Sequence, residues 1–414
     1  MLEFIDPLDY SSLSFVAFVL VAAVAARASR DDWRGAVVLG FNILFLANLL
    51  SGPVLAAYAL LSIALWRAGV AIASGRAGRR WIFHASLLLL VGIFLVLRAP
   101  EVRDWIDAQL GGPDALAARI GVVYGYSYFM FKAMNYLIAA YVGSARRYSL
   151  LNFLNFMFFF SSFTAGPIAR YVDLQDADFR NRAATREVFD GLQRILNGLI
   201  KKYVLVDLIF QFSLASFDSP AQIRSVAAGW AATWAHLLYI YVDFSAYTDI
   251  AIGIGLLFGY RLPENFDYPL LKRNLVLFWE SWHMSLTNWI REHIFTPLSW
   301  KAMQRGRLGR TGVVALGIYV LTMAIFGLWH SLTLPFLVFG VVHGIALWAT
   351  QRATLWRRTH LSQHANHFVE QHWLSRVVGA LFVNVFVALS LILFRFDLEQ
   401  SFGLVRFLFT GLRP

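Results

Sequence analysis

The 414-residue sequence contains no cysteine and few charged residues. The absence of cysteine excludes disulfides, thiolate catalysis and cysteine-ligated metal sites in this chain. Charged residues make up 15% and hydrophobic residues 58%, whereas soluble domains have about 25% charged and about 45–50% apolar residues. No low-complexity segment occurs, which disfavours long disordered regions. The composition therefore argues against a soluble enzyme and predicts a membrane protein.

Hydrophobic residues concentrate in runs of about 17–25 residues, the length that crosses a bilayer as a helix. We predict an all-α, polytopic fold with about eleven transmembrane or re-entrant helices. The run at 226–258 is too long for one straight crossing, and its glycines predict either a break or close helix packing. The runs lie at residues 13–26, 35–50, 53–73, 81–98, 120–142, 150–168, 191–216, 226–258, 311–329, 332–350 and 376–394.

The formal net charge is +11, and the basic residues lie in short loops between the apolar runs. This distribution is typical of membrane topology and of contact with anionic lipid, and it disfavours nucleic-acid binding. Placing the basic loops inside puts the N-terminus outside. The acidic start, with no basic residue, favours a retained first helix over a signal peptide. The basic positions are Arg27, Arg30, Arg34, Arg76, Arg79, Arg80, Arg146, Arg147, Lys301, Arg305, Arg307, Arg310, Arg352, Arg357 and Arg358; the acidic ones are Glu3, Asp6 and Asp9 and, in the loop 99–119, Glu101, Asp104, Asp107 and Asp114.

Residues 263–300 are aromatic but too polar for a lipid-facing span. Aromatic side chains recur at roughly helical intervals, which predicts a helix at the interface or inside the protein that lines a cavity. The recurring residues are Phe278, Trp282, Trp289 and Phe295, and the polar ones are Glu280, His283, Arg291, Glu292 and His293.

His330 is the first candidate for chemistry because it is an ionisable residue inside the apolar sequence 323–344. Burying it costs several kcal/mol unless it finds a partner, so such residues are often functional. Imidazole accepts a proton from a hydroxyl near neutral pH, which suits a general base. The alternative is a neutral histidine that joins two helices by a hydrogen bond. For His343 this packing role is favoured, because Gly344 follows it.

His283, beside Trp282 and Ser285, is the second candidate, since a polar-lined aromatic groove suits an amphiphilic substrate; an interfacial histidine is the alternative. Asp243 and Asp249 bracket a short polar segment that includes Ser245 and Thr248. Carboxylates beside a long apolar run should face protein or water. They could orient an imidazole or pair with a buried cation such as Lys201 or Lys202, and the structural role is favoured.

No metal site is predicted. His360, His364 and His367 could share one face of a helix with zinc-binding spacing, but a solvated basic loop is favoured. The sequence has no G-x-S-x-G, H-E-x-x-H, Walker or Rossmann glycine motif.

Several segments together resemble the membrane-bound O-acyltransferase family, in the family's order. They cover about residues 120–396. The segments are GYSYFMFKAMNYLI (125–138), FTAGPIARY (163–171), GLQRILNGLIKKYVLVD (191–207), YVDFSAYTDIAIGIGLLFGYRLPENFDYP (241–269), FWESWHMSLTNWIREHIFTPL (278–298) and FGLWHSLTLPFLVFGVVHGIALW (326–348). The bacterial branch, with alginate-type O-acetyltransferases and the teichoic-acid D-alanyl transfer protein, is the most similar. It usually has glycine after the tryptophan–histidine pair, where this chain has Ser331 after Trp329 and His330.

The resemblance implies a single domain over residues 1–414, with helices around a central tunnel. It implies that an acyl thioester donor enters from the cytoplasm and that the acceptor hydroxyl comes from the other side. The family's invariant histidine matches His330 and its second frequent histidine matches His283. The polar segment of the family matches Asp243, Ser245 and Asp249.

We therefore predict an acyltransferase of the bacterial inner membrane. The acyl group, for which acetyl is favoured and D-alanyl is the alternative, would move from acetyl-CoA or a carrier-protein thioester to a hydroxyl of an envelope polysaccharide or to a periplasmic or membrane-anchored partner. No bound cofactor is expected. His330 and His283 would be catalytic, and Trp282, Ser285, Asp243, Ser245, Asp249 and Trp329 would bind substrate. The alternatives are a transporter or flippase for a lipid-linked sugar and a scaffold subunit without catalysis.

Overall fold

The computed structural model describes residues 12–75, 77–99, 101–102, 104, 125–145, 149–176, 184–306 and 312–412. Within these residues the secondary structure is helical, as predicted, apart from an isolated bridge between Phe266 and Trp282. The α-helices are α1 Leu13–Ala28, α2 Asp31–Leu49, α3 Gly52–Ala73, α4 Arg79–Leu97, α5 Gly125–Val142, α6 Leu150–Phe158, α7 Tyr171–Asp176, α8 Thr185–Ile200, α9 Val206–Phe210, α10 Val226–Leu257, α11 Leu275–Ser281, α12 Met284–Ile290, α13 Thr296–Gln304, α14 Val313–His330, α15 Leu334–His360, α16 Gln363–Gln371, α17 Trp373–Leu391 and α18 Leu398–Thr410. Short 3₁₀ and π segments lie between them; the π-helices are Lys201–Leu205 and Arg291–Phe295.

Among the described residues, six helical segments are long and apolar enough to cross a membrane. Each coincides with one of the predicted runs. The predicted total of about eleven spans or re-entrant segments is not confirmed by these six, and it stays a prediction, as does the central tunnel. The six segments are Gly52–Ala73, Arg79–Leu97, Val226–Leu257, Val313–His330, Leu334–His360 and Trp373–Phe394.

The chain divides into two compact units. Unit 1 comprises Met1–Ile200 and Ala246–Pro263, and unit 2 comprises Lys201–Ser245 and Glu264–Pro414. The single domain over residues 1–414 stays a prediction.

Several predicted topology signals lie outside the described residues. These are the acidic start at residues 1–11, most of the loop 99–119, and Arg76, Arg146, Arg147, Arg307 and Arg310. The orientation of the chain in the membrane stays a prediction.

In unit 1, two of the family-like segments are held together by buried polar contacts. The side-chain nitrogen of Lys132, a residue that is 1% exposed, donates to the hydroxyl of Ser162 at 3.0 Å. The side-chain oxygen of Asn135 accepts a hydrogen bond from the backbone N–H of Tyr171 at 2.8 Å. Buried polar groups need such partners, so these segments of α5 and the region 160–171 stabilise each other.

Gly253 of α10 packs against another helix, and the glycines of α10 do not break the helix. A Cβ on Gly253 would lie 2.6 Å from the carbonyl oxygen of Gly191, which lies on α8 in the same unit. Small residues allow such close backbone approach. Of the two predictions for this run, close packing is therefore confirmed, and helix α10 extends to Leu257. Gly259 follows the helix with a left-handed φ of 73°, which glycine adopts without strain.

In unit 2, α14 and α15 form a hairpin whose helices are in backbone contact. A Cβ on Gly327 would lie 2.1 Å from the carbonyl oxygen of Phe336, and one on Gly340 would lie 2.3 Å from that of Met323. Gly344 is similarly close to α14. We call Gly327, Gly340 and Gly344 the glycine seam. It fixes the position of α15 against the end of α14, where His330 lies.

Candidate active site

His330 is the last residue of α14 and is half-buried among aromatic rings. Its ring centroid lies 5.3 Å from Phe326, 4.6 Å from Trp329, 6.2 Å from Phe336 and 5.4 Å from Phe394. The carbonyl end of a helix stabilises a nearby positive charge. An imidazole here can therefore accept a proton while the aromatic rings limit the access of water.

His283 lies at a break in the predicted helix of segment 263–300. Helix α11 ends at Ser281 and α12 begins at Met284, so the prediction of one helix through this segment is wrong. His283 has a left-handed φ of 45°. Such a conformation costs about 1–2 kcal/mol for a residue with a Cβ, so other contacts must stabilise it.

Asn265 provides those contacts. Its backbone oxygen accepts a hydrogen bond from the N–H of Met284 at 2.9 Å, and its side-chain oxygen accepts one from the hydroxyl of Ser285 at 2.6 Å. The N–H of Asp267 donates to the carbonyl oxygen of Ser281 at 3.1 Å. Residues 265–267 thus bond to polar groups on both sides of the break, including backbone groups that a continuous helix would have paired internally. Ser285, predicted to bind substrate, stabilises this break through its hydroxyl.

The imidazole of His283 is 2% exposed and packs against Phe244 at 4.6 Å and Trp329 at 6.2 Å. Among the described residues, its Nδ1 has no hydrogen-bond partner. His283 lies outside the six candidate spans. Burial, and to a smaller extent the nearby His330, lowers the pKa of its imidazole well below the ordinary value. The ring is therefore neutral. Because Trp329 contacts both imidazoles, a single indole connects His283 to His330.

Trp282 is part of an aromatic wall next to His283. Its indole stacks on Phe278 with ring centroids 5.3 Å apart and an interplanar angle of 18°. Phe266 and Tyr241 contact it at 5.2 Å and 5.9 Å. Of the predicted binding residues, Trp282 and Trp329 therefore lie around His283.

Asp243 and Ser245 bind two consecutive lysines. Lys202 donates to the carboxylate of Asp243, and Lys201 donates to the hydroxyl of Ser245 at 2.8 Å. Both lysines lie in the π-helix that follows α8. The predicted pairing of Asp243 with a cation is confirmed.

Asp249 has a different partner and belongs to unit 1. Its carboxylate accepts a hydrogen bond from Nε of Arg194 at 2.9 Å, with 12% of its side chain exposed. The prediction that Asp249 pairs with a cation is thus correct, but the cation is Arg194 and not one of the two predicted lysines.

His343 joins helices, in agreement with the favoured prediction. It is fully buried, its Nδ1 accepts a hydrogen bond from the indole N–H of Trp279 at 3.2 Å, and its Nε2 lies 2.9 Å from the hydroxyl of Ser390. Since an indole nitrogen only donates, Nδ1 carries no proton and Nε2–H donates to Ser390. Both ring nitrogens are satisfied.

The three histidines of the HLSQHANH motif do not share one helix. His360 ends α15, whereas His364 and His367 lie in α16, and all three are exposed. The described residues contain no group of three histidine, aspartate or glutamate side chains placed to hold a metal ion.

An apolar cavity of 190 Å³ lies next to the aromatic rings that surround His330. Phe326 lines this cavity and also contacts the imidazole of His330. Glu280 and Arg291, whose charged atoms are 3.9 Å apart, lie at the polar part of its lining. Its other lining residues are Val276, Trp279, Thr287, Ile290, Phe295, Tyr319, Thr322, Met323 and Leu347.

The sequence reasoning missed Asn265, Phe244, Phe336 and Phe394. Nothing in the local pattern distinguishes these three phenylalanines from the other aromatic residues of the chain. Asparagine commonly bonds to backbone groups in turns, but the sequence did not indicate that Asn265 bonds to residues about twenty positions later.

Comparison with known proteins shows relatives that modify polymers. The chain is 30% identical over 292 residues to a probable alginate O-acetylase from Pseudomonas aeruginosa, with 69% of this chain and 54% of the relative covered. It is 27% identical over 293 residues to a teichoic acid D-alanyltransferase from Streptococcus thermophilus, with 67% and 66% covered. A peptidoglycan O-acetyltransferase from Helicobacter pylori is 34% identical over 209 residues, with 48% and 38% covered.

The chain thus spans about half the length of the alginate relative. The sequence profile of the membrane-bound O-acyltransferase family matches residues 53–394, which include both candidate histidines and most of the chain. This protein therefore belongs to the membrane-bound O-acyltransferase family.

Proposed function

We propose that the protein transfers an acyl group, with acetyl favoured and D-alanyl as the alternative, from a thioester to a hydroxyl of a cell-envelope polysaccharide or to an intermediary partner protein. The observation that supports it most is the position of His330: an imidazole at a helix carboxyl end, enclosed by aromatic rings and connected through Trp329 to a second imidazole. The relatives are named for O-acetylation and D-alanylation of such polymers.

In this proposal His330 is the general base. It takes the proton of the acceptor hydroxyl as the oxygen attacks the thioester carbonyl. The carbon–oxygen bond forms, the carbon–sulfur bond breaks, and the leaving thiolate takes the proton from the imidazolium of His330, which returns to its neutral form. A base of this kind contributes about 10²–10⁴-fold to the rate. Because the thioester is already activated, the proposed step needs neither a metal nor a bound cofactor.

The other residues position the reactants. His283, neutral and with Nδ1 unused among the described residues, would bind the acceptor or the donor. Trp282 and Trp329 would form the wall against which the substrate lies. Asp243, Ser245 and Asp249, through their lysine and arginine partners, would hold polar elements in place. Fixing both reactants in a water-poor site replaces a bimolecular encounter with an effectively unimolecular step.

The apolar cavity beside Phe326 is the proposed binding site for the part of the thioester donor that carries the acyl group. It is separated from His330 by one aromatic ring and is lined mainly by apolar side chains. With the basic loops in the cytoplasm of a bacterial inner membrane, acetyl-CoA or an acylated carrier protein would supply the thioester from that side. A central tunnel would bring the acceptor or a periplasmic partner from the other side, so that the bulky donor need not cross the bilayer.

The proposal is tested with the purified protein, a thioester that carries a labelled acyl group, and a soluble glycan acceptor, without any ion gradient. We expect transfer of the label by the native chain and a loss of about 10²–10⁴-fold in His330→Ala. His360→Ala is the matched control, because His360 is exposed at the end of α15. Transfer at the native rate by the His330 variant would remove the proposed base. No transfer by any form, together with gradient-driven sugar movement, would instead favour a transporter.

A further inference from the structure

Unit 2 contains a cleft of 680 Å³ that the proposed reaction does not use. It lies where the end of α15 meets the first half of α17 and the segment before α11. The residues that line it are Arg273, Asn274, Val276, Leu277, Thr350, Gln351, Ala353, Thr354, Leu355, Arg357, Arg358, Val369, Glu370, Ser375, Val378, Gly379 and Phe382. We call this the arginine cleft.

The arginine cleft has an excess of positive charge. Glu370 is the single carboxylate in its lining, against three arginines. Arg357 donates to that carboxylate at 2.7 Å, and Arg358 lies 3.8 Å from it. Arg273 donates to the backbone oxygen of Glu370 at 2.6 Å and not to its carboxylate. One negative charge therefore faces three positive ones.

One nitrogen in the cleft lacks a partner. Nε of Arg357 is buried and makes no hydrogen bond within the described residues. A buried donor without a partner costs about 1–3 kcal/mol. A bound anion beside the guanidinium of Arg357 would balance the excess charge of the cleft.

Three of the other lining residues are apolar and exposed. Leu355, Val378 and Phe382 are 45%, 56% and 75% exposed. Val378 and Phe382 belong to α17 and Leu355 to α15, both of which are candidate membrane spans. Arg357 and Arg358 lie in the last turn of α15. The cleft thus combines guanidinium groups at the end of a span with an apolar surface along the spans.

We propose that the arginine cleft binds an anionic phospholipid. Its phosphate would lie on Arg357, Arg358 and Arg273, and its acyl chains would lie along Val378 and Phe382. Guanidinium groups bind phosphate in a bidentate manner, and basic pockets between spans bind anionic headgroups. A soluble phosphate ester would satisfy the same arginines but would leave the apolar surface uncovered, which is why a lipid fits better. This inference does not depend on the proposed reaction.

Binding is measured on the purified 414-residue chain in neutral detergent, by native mass spectrometry and by the midpoint of thermal unfolding. We expect phosphatidylglycerol to be retained and to raise the midpoint, and phosphatidylcholine to do neither. In Arg358→Gln the affinity for phosphatidylglycerol should fall about tenfold, the effect of losing one hydrogen bond to a charged group. Arg358 is 64% exposed and only weakly paired, so the fold should tolerate its replacement.

Two further variants make the test specific. Arg352→Gln removes the same charge from the same helix, but Arg352 does not line the cleft, so its affinity should equal that of the native chain. Glu370→Gln keeps the shape and removes the negative charge, so it should bind phosphatidylglycerol severalfold more tightly. Equal losses in the Arg358 and Arg352 variants would overturn the proposal. So would protection by CoA or inorganic phosphate that equals that of the lipid, because the ligand would then be a soluble phosphate.

Discussion

His330 and His343 lie on the adjacent helices α14 and α15, yet their rings meet different surroundings. His343 uses both ring nitrogens, one with Trp279 and one with Ser390, and it is fully buried. His330 is half-buried at a helix end and is surrounded by aromatic faces. The same residue type therefore serves packing in one position and suits proton transfer in the other.

We predict that His343→Ala lowers stability and not chemistry. The change leaves the indole N–H of Trp279 without its acceptor and creates a cavity, which together cost about 2–4 kcal/mol. Thermal unfolding of the purified protein measures the loss, and acyl transfer per folded molecule should stay within about twofold. His343→Gln retains an acceptor and a donor, so it should recover part of the stability. A native unfolding midpoint in the alanine variant, or a specific activity as low as in His330→Ala, would contradict this role.

The sequence located the candidate histidines but not the residues that hold them in position. An ionisable side chain in an apolar run is conspicuous because burial is costly without a partner. Asn265 is not conspicuous, since an asparagine in a loop carries no pattern that indicates a distant partner. Its bonds to the residues around His283 depend on how the chain folds back over about twenty positions.

The length of the apolar runs predicted the long helices well, whereas aromatic periodicity predicted one helix wrongly. The six candidate spans agree with apolar runs because length and hydropathy decide them. In segment 263–300 the aromatic residues recur as in one helix, but the chain breaks at His283. Hydrogen bonds from residues 265–267 stabilise the break. A local pattern cannot contain such contacts.

The glycine seam gives a prediction for the α14–α15 hairpin. A Cβ on Gly344 would lie 2.6 Å from the Cα of Val320, so Gly344→Ala must push the helices apart. We expect a loss of about 1–3 kcal/mol in stability and a fall in acyl transfer, because the end of α14 carries His330.

The matched control for the seam is Gly317→Ala. Gly317 lies on α14 as well, but nothing is within 4 Å of a Cβ placed there. Alanine favours a helix by about 1 kcal/mol over glycine, so this variant should be as stable as the native chain or slightly more stable. Thermal unfolding and transfer rate are measured for both variants side by side. Equal behaviour of the two would show that the close approach of the helices does not position His330.

For the whole molecule, composition predicted a polytopic helical membrane protein, and the family match and the six spans agree with it. The number of crossings could not be settled in this way, because runs such as 150–168 and 191–216 form shorter helical pieces. Hydropathy does not distinguish a short buried helix from a crossing. Orientation also rests on loop charges, several of which lie outside the described residues.

In unit 2, two loops nevertheless lie at opposite ends of α17. This helix starts next to the basic end of α15 and α16, and a 3₁₀ segment, Ile392–Phe394, extends it to the end of the span at Phe394. There a hydrophobic core joins Leu214 and Ile223 to Phe396 and Leu404, and Nε of Arg395 donates to the carbonyl oxygen of Leu214 at 3.2 Å. If the basic end is cytoplasmic, the turn around residue 221 is on the other side.

The last prediction tests this orientation, and the absence of cysteine makes the experiment clean. A thiol introduced as Gln363→Cys, at the exposed start of α16, should react with a membrane-impermeant maleimide only after the membrane is opened. A thiol introduced as Ala221→Cys, which is also exposed, should react in intact spheroplasts. The native chain is the control, because it has no thiol to label. The reverse pattern would place the basic loops outside, and the thioester donor would then have to reach His330 from the opposite side of the membrane.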